Sequence, residues 1–324
     1  MKLRNIYWIV CISAIMLSCG SDDDGGLPDV EVVPPRDLAD VVDVDDADIV
    51  AFLKSHFYNY EEFQTPTADF DYRIRFDTIA GENADKVSIF DSGDLAGVEF
   101  GVETITVGSD EFQRTDGEVV DHKLYYLIAR QGTSDTLPTI GDNYILRYEG
   151  SLLDGTVFDS SVSQPVQFNL SQVVRGFGNG MRFFNSGTEA VENGDGTFTY
   201  DGYGIGAIFM PSGLGYFSIP TSNLIPAYAP LIFKVDAYYF QENTDTDGDG
   251  IPSYMEDLDG NGNLNNDNTD VADEVRVLLP NYRDSDDDND GIPTIEEINL
   301  KPDGTFLSYR DTDGDGIFDH LDID

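Results

Sequence analysis

The chain has 324 residues, with 62 Asp and Glu against 18 Lys and Arg, and a formal net charge of −44. Such a charge repels phosphate polyanions, which excludes nucleic acid or an anionic lipid surface as a partner bound through a basic patch. Hydrophobic residues make up 40% and aromatic residues 12%, enough for a packed core, so a wholly disordered acidic chain is also excluded. The length allows about two domains.

Residues 1–18 have the layout of an export signal peptide. Lys2 and Arg4 precede an apolar run, from Ile6 to Leu17, that is short for a membrane span. The Ser-Cys-Gly sequence that ends at Gly20 resembles the processing box of bacterial lipoproteins. The resemblance implies that Cys19 becomes the lipidated first residue and anchors the chain to a membrane of the cell envelope. An ordinary secretory signal is the alternative.

Residues 19–46 are predicted to be an acidic tether. The Ser-Asp-Asp-Asp-Gly-Gly run at 21–26 resembles the tether of Bacteroidetes-type lipoproteins, which implies the outer membrane, at its periplasmic or its surface face. A solvated linker is the plainer interpretation. Three prolines and scattered acids predict an extended spacer up to Asp46. Cys11 and Cys19 are the only cysteines, so the folded body has no thiol, as suits an oxidising compartment.

Residues 47–122 are predicted to contain one helix and several short strands. Apolar residues recur at helical spacing from Ile49 to Phe57, and Asp45, Asp46 and Asp48 offer N-cap oxygens, which predicts an amphipathic helix over about 47–62. Alternation predicts strands at 72–76, 87–90 and 98–107. The three histidines, including His56 on the helix, are far apart in sequence, which leaves little material for a zinc site or a histidine-activated nucleophile.

The most specific patterns lie between residues 123 and 241. Alternation predicts strands at 123–132, 144–150, 166–170 and 231–235, and a short helix is predicted over 173–181, which indicates an antiparallel sheet crossed by one helix. The motifs, in order, are Gly141-Asp142, Tyr148-x-Gly150, Leu152-x-Asp-Gly-x-x-Phe158-Asp159-Ser-Ser, Val173-x-x-Gly-Phe177, and Ile225-Pro226 before a Leu-Ile-Phe strand. This succession resembles the FKBP-type peptidyl-prolyl cis-trans isomerases.

The resemblance implies an α+β fold, in which a twisted antiparallel sheet wraps around a short helix and encloses an apolar pocket. It implies an enzyme that isomerises X-Pro bonds of exported polypeptides without a cofactor, and we expect a monomer. The implied pocket residues are Tyr148, Phe158, Asp159, Phe168, Val173, Val174, Phe177, Tyr216, Ile225 and Phe233. Phe177 would be the floor, with Phe158 and Phe233 as walls. Tyr216 and the Ile225 backbone would donate hydrogen bonds to the substrate, and Asp159 would orient Tyr148.

The segment also departs from the family pattern. Phe177 stands where most relatives have Trp, and Val166 stands at a wall position that is usually aromatic. The connection from Gly187 to Pro211 is long, and an Asn-Gly-Asp-Gly turn predicts an inserted hairpin over 191–200. Because this hairpin leads to Pro211, close to Tyr216, it could cap the pocket or form a protein-binding edge.

Three alternatives to an isomerase remain open. The aromatic residues could form only a core, with the activity lost. The groove could hold Pro-containing peptides without catalysis, in a binding or adhesion module. The chain could also be a folding helper, in which region 65–121 binds unfolded polypeptides and the isomerase is secondary.

Residues 242–324 carry 25 acidic residues against four basic ones, and three segments follow the D-x-D-x-D-G-x5-E calcium-loop spacing. Alternate side chains and a position-7 carbonyl turn oxygens inward, while glycine at position 6 permits the bend. The predicted ligands are Asp245, Asp247, Asp249, Ile251 and Glu256; Asp286, Asp288, Asp290, Ile292 and Glu297; and Asp311, Asp313, Asp315, Ile317 and Asp322. A fourth copy, from Asp257 to Asn268, is degenerate.

The alternative for a single acidic loop is an ordinary solvated turn. The short flanks of these loops, with Pro252 and Pro293 directly after two of them, resemble thrombospondin type 3 repeats more than paired helix-loop-helix hands. The resemblance implies structural Ca²⁺ in the tail. Without the ion, the clustered carboxylates should repel one another and leave the tail largely disordered.

Overall fold

A seven-stranded antiparallel sheet carries the fold. The computed structural model describes residues 36–188, 190–270 and 279–323, so the signal peptide, Cys19 and the acidic run after it lie outside the described residues. The helices are α1 Leu38–Ser55, α2 Tyr60–Gln64, α3 Arg175–Met181 and α4 Thr294–Glu297. The strands are β1 His56–Tyr58, β2 Phe76–Thr78, β3 Glu99–Gly108, β4 Val119–Arg130, β5 Asn143–Leu152, β6 Val157–Ser160, β7 Val166–Asn169, β8 Val191–Glu192, β9 Phe198–Thr199, β10 Gly204–Met210, β11 Leu231–Gln241, β12 Ile298–Leu300 and β13 Phe306–Tyr309. Within these ranges, none of the helices is long and apolar enough to cross a bilayer.

The strand order in the main sheet is β3-β4-β10-β11-β5-β6, and β7 pairs with β5 beside β6. All of these pairings are antiparallel, and α3 packs across the sheet, as the α+β prediction requires. The four strands predicted between residues 123 and 241 are present. The sheet also extends beyond that segment, because β3 and the first residues of β4 precede Lys123.

The central strand β10 has no counterpart among the predicted strands. Its sequence is Gly-Ile-Gly-Ala-Ile-Phe-Met, and all seven residues are buried. The side chains of β10 point alternately to the two faces of the sheet. Ile208 packs into the core that contains Phe177 of α3, and Phe209 packs into a second core that contains Phe52 of α1. Because both faces of the sheet are covered, β10 lacks the alternation that marks a half-exposed strand.

Helix α1 starts well before the predicted helix. It begins at Leu38, and its buried positions are Leu38, Val41, Asp45, Ile49, Phe52 and Leu53, a continuous stripe at spacings of three and four residues. The predicted N-cap role of the aspartates and the extended spacer up to residue 46 are therefore both wrong over 38–46. The error arose from Asp45. It is a charged residue inside the apolar stripe, and an aspartate just before apolar residues is typical of the start of a helix.

Asp45 is buried because it binds Ser212, a residue in the loop that follows β10. Only 3% of the residue is exposed, and its Oδ2 accepts hydrogen bonds from the Ser212 amide at 2.7 Å and from the Ser212 hydroxyl at 2.6 Å. Burial raises the pKa of Asp45, and the two bonds from Ser212 act in the opposite direction. Ser212 lies at the start of the connection that carries Tyr216, so α1 is fixed to the loop beside the predicted pocket.

Replacing Asp45 with alanine is expected to lower the free energy of unfolding by about 2–4 kcal/mol, because it leaves two buried donors of Ser212 without an acceptor. Urea unfolding in excess calcium measures the effect. Asp43→Ala removes an exposed carboxylate from the same helix and should change the free energy by less than about 0.5 kcal/mol. Equal effects of the two substitutions would contradict the anchoring role.

Residues 56–98 cover the second face of the sheet with aromatic side chains. The ring centroids of Phe52 and Phe76 lie 6.1 and 5.8 Å from that of Phe209 on β10. Only part of the predicted strand pattern is present here. The strand at 98–107 is confirmed as β3, whereas the strand predicted at 72–76 is β2, shifted to Phe76–Thr78. Residues 87–90 form no strand, although Ile89 is buried.

The acidic C-terminal region contains 3-10 turns of three or four residues, the short helix α4 and the β12–β13 hairpin. Two of its side chains, Leu264 and Tyr282, are at most 1% exposed and belong to the same core cluster as Phe177 of α3. The tail is therefore packed against the helix that crosses the sheet.

Candidate functional site

An aromatic cluster lies between α3 and the face of the sheet formed by β5, β6, β7 and β11. Phe177 of α3 is 2% exposed, and its ring centroid lies 5.0 Å from that of Phe233 on β11, at an interplanar angle of 75°. Phe158 on β6 meets the other side of Phe233 at 5.6 Å and 83°. Phe168 on β7 approaches Phe177 at 6.1 Å and 86°. These edge-to-face arrangements are the favourable geometry for aromatic pairs.

Nine of the ten residues named from the sequence have buried or half-buried side chains in or against one core cluster, and the tenth, Asp159, is exposed. Phe177, Phe233 and Ile225 are buried, which makes them the base of the site. The half-buried side chains packed against the core cluster that contains these three residues include Tyr148, Phe158, Phe168, Val173, Val174 and Tyr216. Val166, where an aromatic residue is usual, is also half-buried and packs against the same core.

Tyr148 and Asp159 form the polar element of the site. The Tyr148 hydroxyl donates a hydrogen bond of 2.6 Å to Oδ2 of Asp159, while the amide of Ser160 donates one of 2.8 Å to Oδ1. Burial, together with the bond to Asp159, raises the pKa of Tyr148 far above its usual value. The phenol therefore stays protonated, and its ring lies among those of Phe168, Phe177 and Phe233.

Gly150 explains how the walls come so close to the sheet. It pairs with Phe233 across β5 and β11, and with Asp159 across β5 and β6. A Cβ atom at this position would lie 2.6 Å from Phe158 and 3.0 Å from Phe233, well inside van der Waals contact. The glycine of the Tyr-x-Gly motif is therefore required for Phe158 to pack against Phe233.

The predicted role of the Ile225 backbone differs from the structure. Ile225 lies in the buried core, but its amide donates a hydrogen bond of 3.1 Å to the Ser222 carbonyl oxygen. The donor is thus engaged within its own turn, and it would have to leave or share that bond in order to bind a substrate carbonyl. The Ile225-Pro226 motif gives no information about a hydrogen bond within this turn.

The inserted hairpin is present but does not lie where it could cap the pocket. Strands β8 and β9 pair as predicted, and the Asn193 amide donates to the Thr197 carbonyl at 2.7 Å. Strand β10 separates the hairpin from Tyr216, and its first residue, Gly204, pairs with Ala237, far along β11 from Phe233. The seven residues of β10 span about 20 Å. The hairpin is near Pro211 in sequence but not near Tyr216 in space, because the extended strand β10 lies between the hairpin and Pro211.

The three calcium-type loops share one backbone geometry. In the first loop (245–256) the Gly250 amide donates to Asp245 Oδ2 at 3.0 Å, and the equivalent bonds in the second loop (286–297) and the third loop (311–322) are both 3.2 Å. The position-6 glycines have φ of +97°, +95° and +101°, which L-residues with side chains rarely adopt. The sequence prediction of the glycine position is confirmed.

The first two loops differ from the third in the burial of their acids. In the first loop, Asp245, Asp247 and Asp249 present oxygens within 4.8 Å of one another, and in the second loop Asp286, Asp288 and Asp290 do the same. Asp249 is 1% and Asp288 is 0% exposed, and the position-12 residues Glu256 and Glu297 are 3% and 6% exposed. In the third loop, the side chains of Asp311, Asp313 and Asp315 are exposed.

Several carboxylate oxygens of these acids have no hydrogen-bond donor within the part of the chain that the structure describes. Both carboxylate oxygens of Glu256 and one oxygen each of Asp247, Asp249, Asp286, Asp288 and Glu297 are buried without a hydrogen-bond donor. Burial and the neighbouring Asp247 and Asp249 raise the pKa of Glu256 to about 11. Burial and the neighbouring Asp288 and Asp290 raise the pKa of Glu297 to about 7. A cluster of this kind is unstable as a set of bare anions.

Asp287 joins the first loop, although it stands in the second. It is 1% exposed, and one of its oxygens lies within 4.8 Å of ligand atoms of Asp249 and Glu256. Burial, followed by the charges of Asp249 and Asp247, raises its pKa to about 9. The loop pattern did not predict this residue, because position 2 of an isolated loop points away from its own ring. The only sequence signal is the unbroken run of acids from Asp286 to Asp288.

The part of the chain that forms the aromatic cluster is similar in sequence to known proteins. Residues 134–237 match the family model described as FKBP-type peptidyl-prolyl cis-trans isomerase. The chain is 37% identical over 114 residues to a Neisseria meningitidis protein named "Probable FKBP-type peptidyl-prolyl cis-trans isomerase FkpA", which covers 35% of this chain and 36% of that one. It is 38% identical over 120 residues to the Peptidyl-prolyl cis-trans isomerase Mip of Chlamydia muridarum, covering 36% and 41%. The chain thus spans less than half the length of either relative.

The chain is also similar to one solved structure and to a second family model. The crystal structure of FkpA from Escherichia coli matches with a TM-score of 0.29 and 22% identity, over 46% of this chain and 54% of that one. Residues 246–310 match a family model described as BamM C-terminal, and this segment overlaps the first two acidic loops. Residues 134–237 thus carry the FKBP-type pattern, and its pocket motifs coincide with the aromatic cluster described above.

Proposed function

We propose that this protein is a peptidyl-prolyl cis-trans isomerase of the FKBP type, acting on X-Pro bonds of exported polypeptides. The observation that carries the proposal is the aromatic pocket over Phe177, in which the Tyr148–Asp159 pair is the polar element. The match of residues 134–237 to the family model supports it. The named relatives are isomerases, and the activity is proposed for this chain on that basis.

The mechanism needs a shaped apolar site and no nucleophile. Rotation about an X-Pro amide passes through a twisted state, against a barrier of roughly 18–20 kcal/mol, in which resonance is lost and the carbonyl becomes less polar. A prolyl ring seated on Phe177, between Phe158 and Phe233, leaves water and so favours the twisted amide over the flat, hydrated one. Asp159 holds the Tyr148 ring in place and does not transfer a proton. No cofactor takes part in this scheme.

A protease-free isomerisation assay on a short X-Pro peptide tests the activity. Uncatalysed exchange takes tens to hundreds of seconds at 25 °C, so catalysis is measured as a rate increase proportional to protein concentration. A wild-type rate equal to background, from protein that is folded by circular dichroism, would overturn the enzyme proposal. Binding of the peptide without catalysis would instead favour the alternative, a Pro-peptide-binding or adhesion module that uses the same groove.

We also propose that the acidic loops bind structural Ca²⁺. The ligands are those of the three loop patterns, with Asp287 added to the first loop. Several hard, anionic oxygens arranged in a ring around a tight turn are the donor set that Ca²⁺ prefers. The support is the set of buried carboxylate oxygens without donors in the first and second loops, since a bound divalent cation would neutralise them. The exposed third loop has the same backbone geometry and would bind more weakly.

For the N-terminus we propose export, followed by attachment to a membrane of the cell envelope through a lipidated Cys19. We also propose that the protein is a monomer and that its clients are Pro-containing exported chains. The support is the sequence of residues 1–26. The outer membrane, at its periplasmic or its surface face, is the proposed location. Protease shaving of intact cells tests the face: cleavage of this protein, with a periplasmic control protected, would place it at the surface.

A further inference from the structure

The degenerate loop, residues 257–268, gathers three carboxylates although its spacing ends at Asn268 and not at an acid. Asp257, Asp259 and Asp267 each present an oxygen, and these three atoms lie within 4.8 Å of one another. Asp267 stands at position 11 of the loop. A 3-10 turn, Leu264–Asn266, immediately precedes it and brings it to the ring one position early.

A second observation indicates that this ring is incomplete without a ligand. Asp267 is 5% exposed, and its Oδ2 is buried with no hydrogen-bond donor among the described residues. The same holds for Oδ1 of Asp257 and Oδ1 of Asn261. Three buried acceptors of this one loop therefore have no hydrogen-bond donor among the described residues, and two of them belong to the carboxylates of the ring. Leaving such oxygens uncompensated costs several kcal/mol, and a bound cation removes that cost.

We propose that this loop is a further calcium site, with Asp257, Asp259, Asn261 and Asp267 as side-chain ligands, and that its ion fixes the loop that supports the pocket helix α3. The donors are all hard oxygens, with three carboxylates and one amide, which suits Ca²⁺. The local turn agrees with this assignment, because the Gly262 amide bonds Asp257 Oδ2 at 3.0 Å as in the three regular loops.

The same loop is bonded directly to α3. The Gly262 carbonyl accepts a hydrogen bond of 3.1 Å from the Asn179 side chain, and the Asn261 carbonyl accepts one of 3.1 Å from Arg175. The fit is close, since a Cβ atom on Gly262 would lie 2.7 Å from Asn179 Oδ1. Both Arg175 and Asn179 belong to α3, so two turns of the helix are held by consecutive carbonyls of the loop.

The loop also holds the segment before α3. Asn265 donates a hydrogen bond of 2.9 Å to the Ser171 carbonyl, two residues before Val173 of the pocket. Leu264 is fully buried in the core cluster that contains Phe177. A cation that closes the ring around Asp257 and Asp267 therefore fixes the residues that brace the floor of the pocket. The coupling follows from these contacts, and only its consequence for catalysis rests on the proposed function.

Calcium binding to the full chain tests the site. Equilibrium dialysis with ⁴⁵Ca²⁺ compares wild type with Asp267→Asn and with Asp135→Asn, which removes an exposed carboxylate from an unrelated loop. We expect Asp267→Asn to bind one ion fewer, or to bind one ion at least 10-fold more weakly, and Asp135→Asn to match wild type. An unchanged number and affinity of sites in Asp267→Asn would overturn the proposal.

Hydrogen exchange of the amides from Val173 to Met181 tests the coupling without using activity. In saturating Ca²⁺ we expect about 10-fold or more faster exchange in Asp267→Asn than in wild type. Glu256→Gln, which alters the first loop, should leave this segment protected. Loss of one ion in Asp267→Asn with unchanged protection of α3 would overturn the coupling, and equal loss of protection in both variants would do so too.

Asp267→Asn is nearly isosteric and removes an unpaired buried charge, so the variant should fold. If it did not, Asp259→Asn, at an exposed residue of the same ring, carries the same comparison. In wild type, calcium titration should protect the 173–181 amides in step with binding of that ion, and no change in their exchange would overturn the coupling. Because no readout is enzymatic, failure of the isomerase assay would leave this result unaffected.

Discussion

Truncating Phe158 to alanine is expected to lower kcat/KM for an X-Pro peptide by about 10- to 100-fold, which corresponds to about 1.4–2.7 kcal/mol of transition-state stabilisation. Phe158 forms a half-buried wall that meets Phe233 edge-on at 5.6 Å. Its loss admits water to the prolyl amide, and water favours the flat ground state. Asp159→Leu should reduce kcat/KM by about 10-fold, because the Tyr148 hydroxyl then has no acceptor to orient it.

The matched control for Phe158 is Phe198→Ala, which removes a 54% exposed ring on the inserted hairpin, at the far end of β10. It should leave kcat/KM within about twofold of wild type. Phe177 is a poorer choice of variant, because truncating so deeply buried a ring costs about 3–5 kcal/mol of stability. If Phe158→Ala and Phe198→Ala had the same kcat/KM, the aromatic cluster would be core and not catalytic site.

Removing calcium is expected to have the largest effect on stability. Each ion held at 100 times its Kd adds about 2.7 kcal/mol to the free energy of unfolding, so the two buried loops together contribute about 5 kcal/mol. A chelator should therefore lower the urea midpoint markedly and expose the tail to proteolysis before the sheet. Urea unfolding followed by tyrosine fluorescence, with excess Ca²⁺ or with EDTA, measures this difference.

Glu256→Gln tests whether Glu256 is a calcium ligand, because a ligand and a purely structural carboxylate predict different changes in stability with and without calcium. In excess Ca²⁺ the variant should be less stable than wild type by about 1–3 kcal/mol, since it loses an anionic ligand. In EDTA it should be at least as stable as wild type, because it removes a buried group that has no hydrogen-bond donor in the described residues. Glu296→Gln, at the exposed neighbour of Glu297, should match wild type in both conditions. Equal destabilisation of Glu256→Gln with and without calcium would contradict ligation.

The start of α1 and the strand β10 show where sequence patterns failed. The helix was predicted over 47–62 because Asp45 interrupts the apolar stripe, yet its carboxylate is satisfied by Ser212, a residue 167 positions away. Strand β10 was missed because a strand buried on both faces has no alternation. Both errors have the same cause, which is that burial is decided by distant segments: Ser212 covers Asp45, and separate core clusters cover the two faces of β10.

The sequence by itself determined the features that depend on local spacing. These are the position-6 glycines of the acidic loops, whose φ near +100° is imposed by a turn of a few residues. The pocket residues on β5, β6, β7, α3 and β11 were implied by the family resemblance of the motifs that contain them. Tertiary structure alone decided that Asp287 lies beside acids of the first loop and that the hairpin lies far from Tyr216. Such placements depend on contacts between segments remote in the chain, and the spacing of residues within a motif carries no information about them.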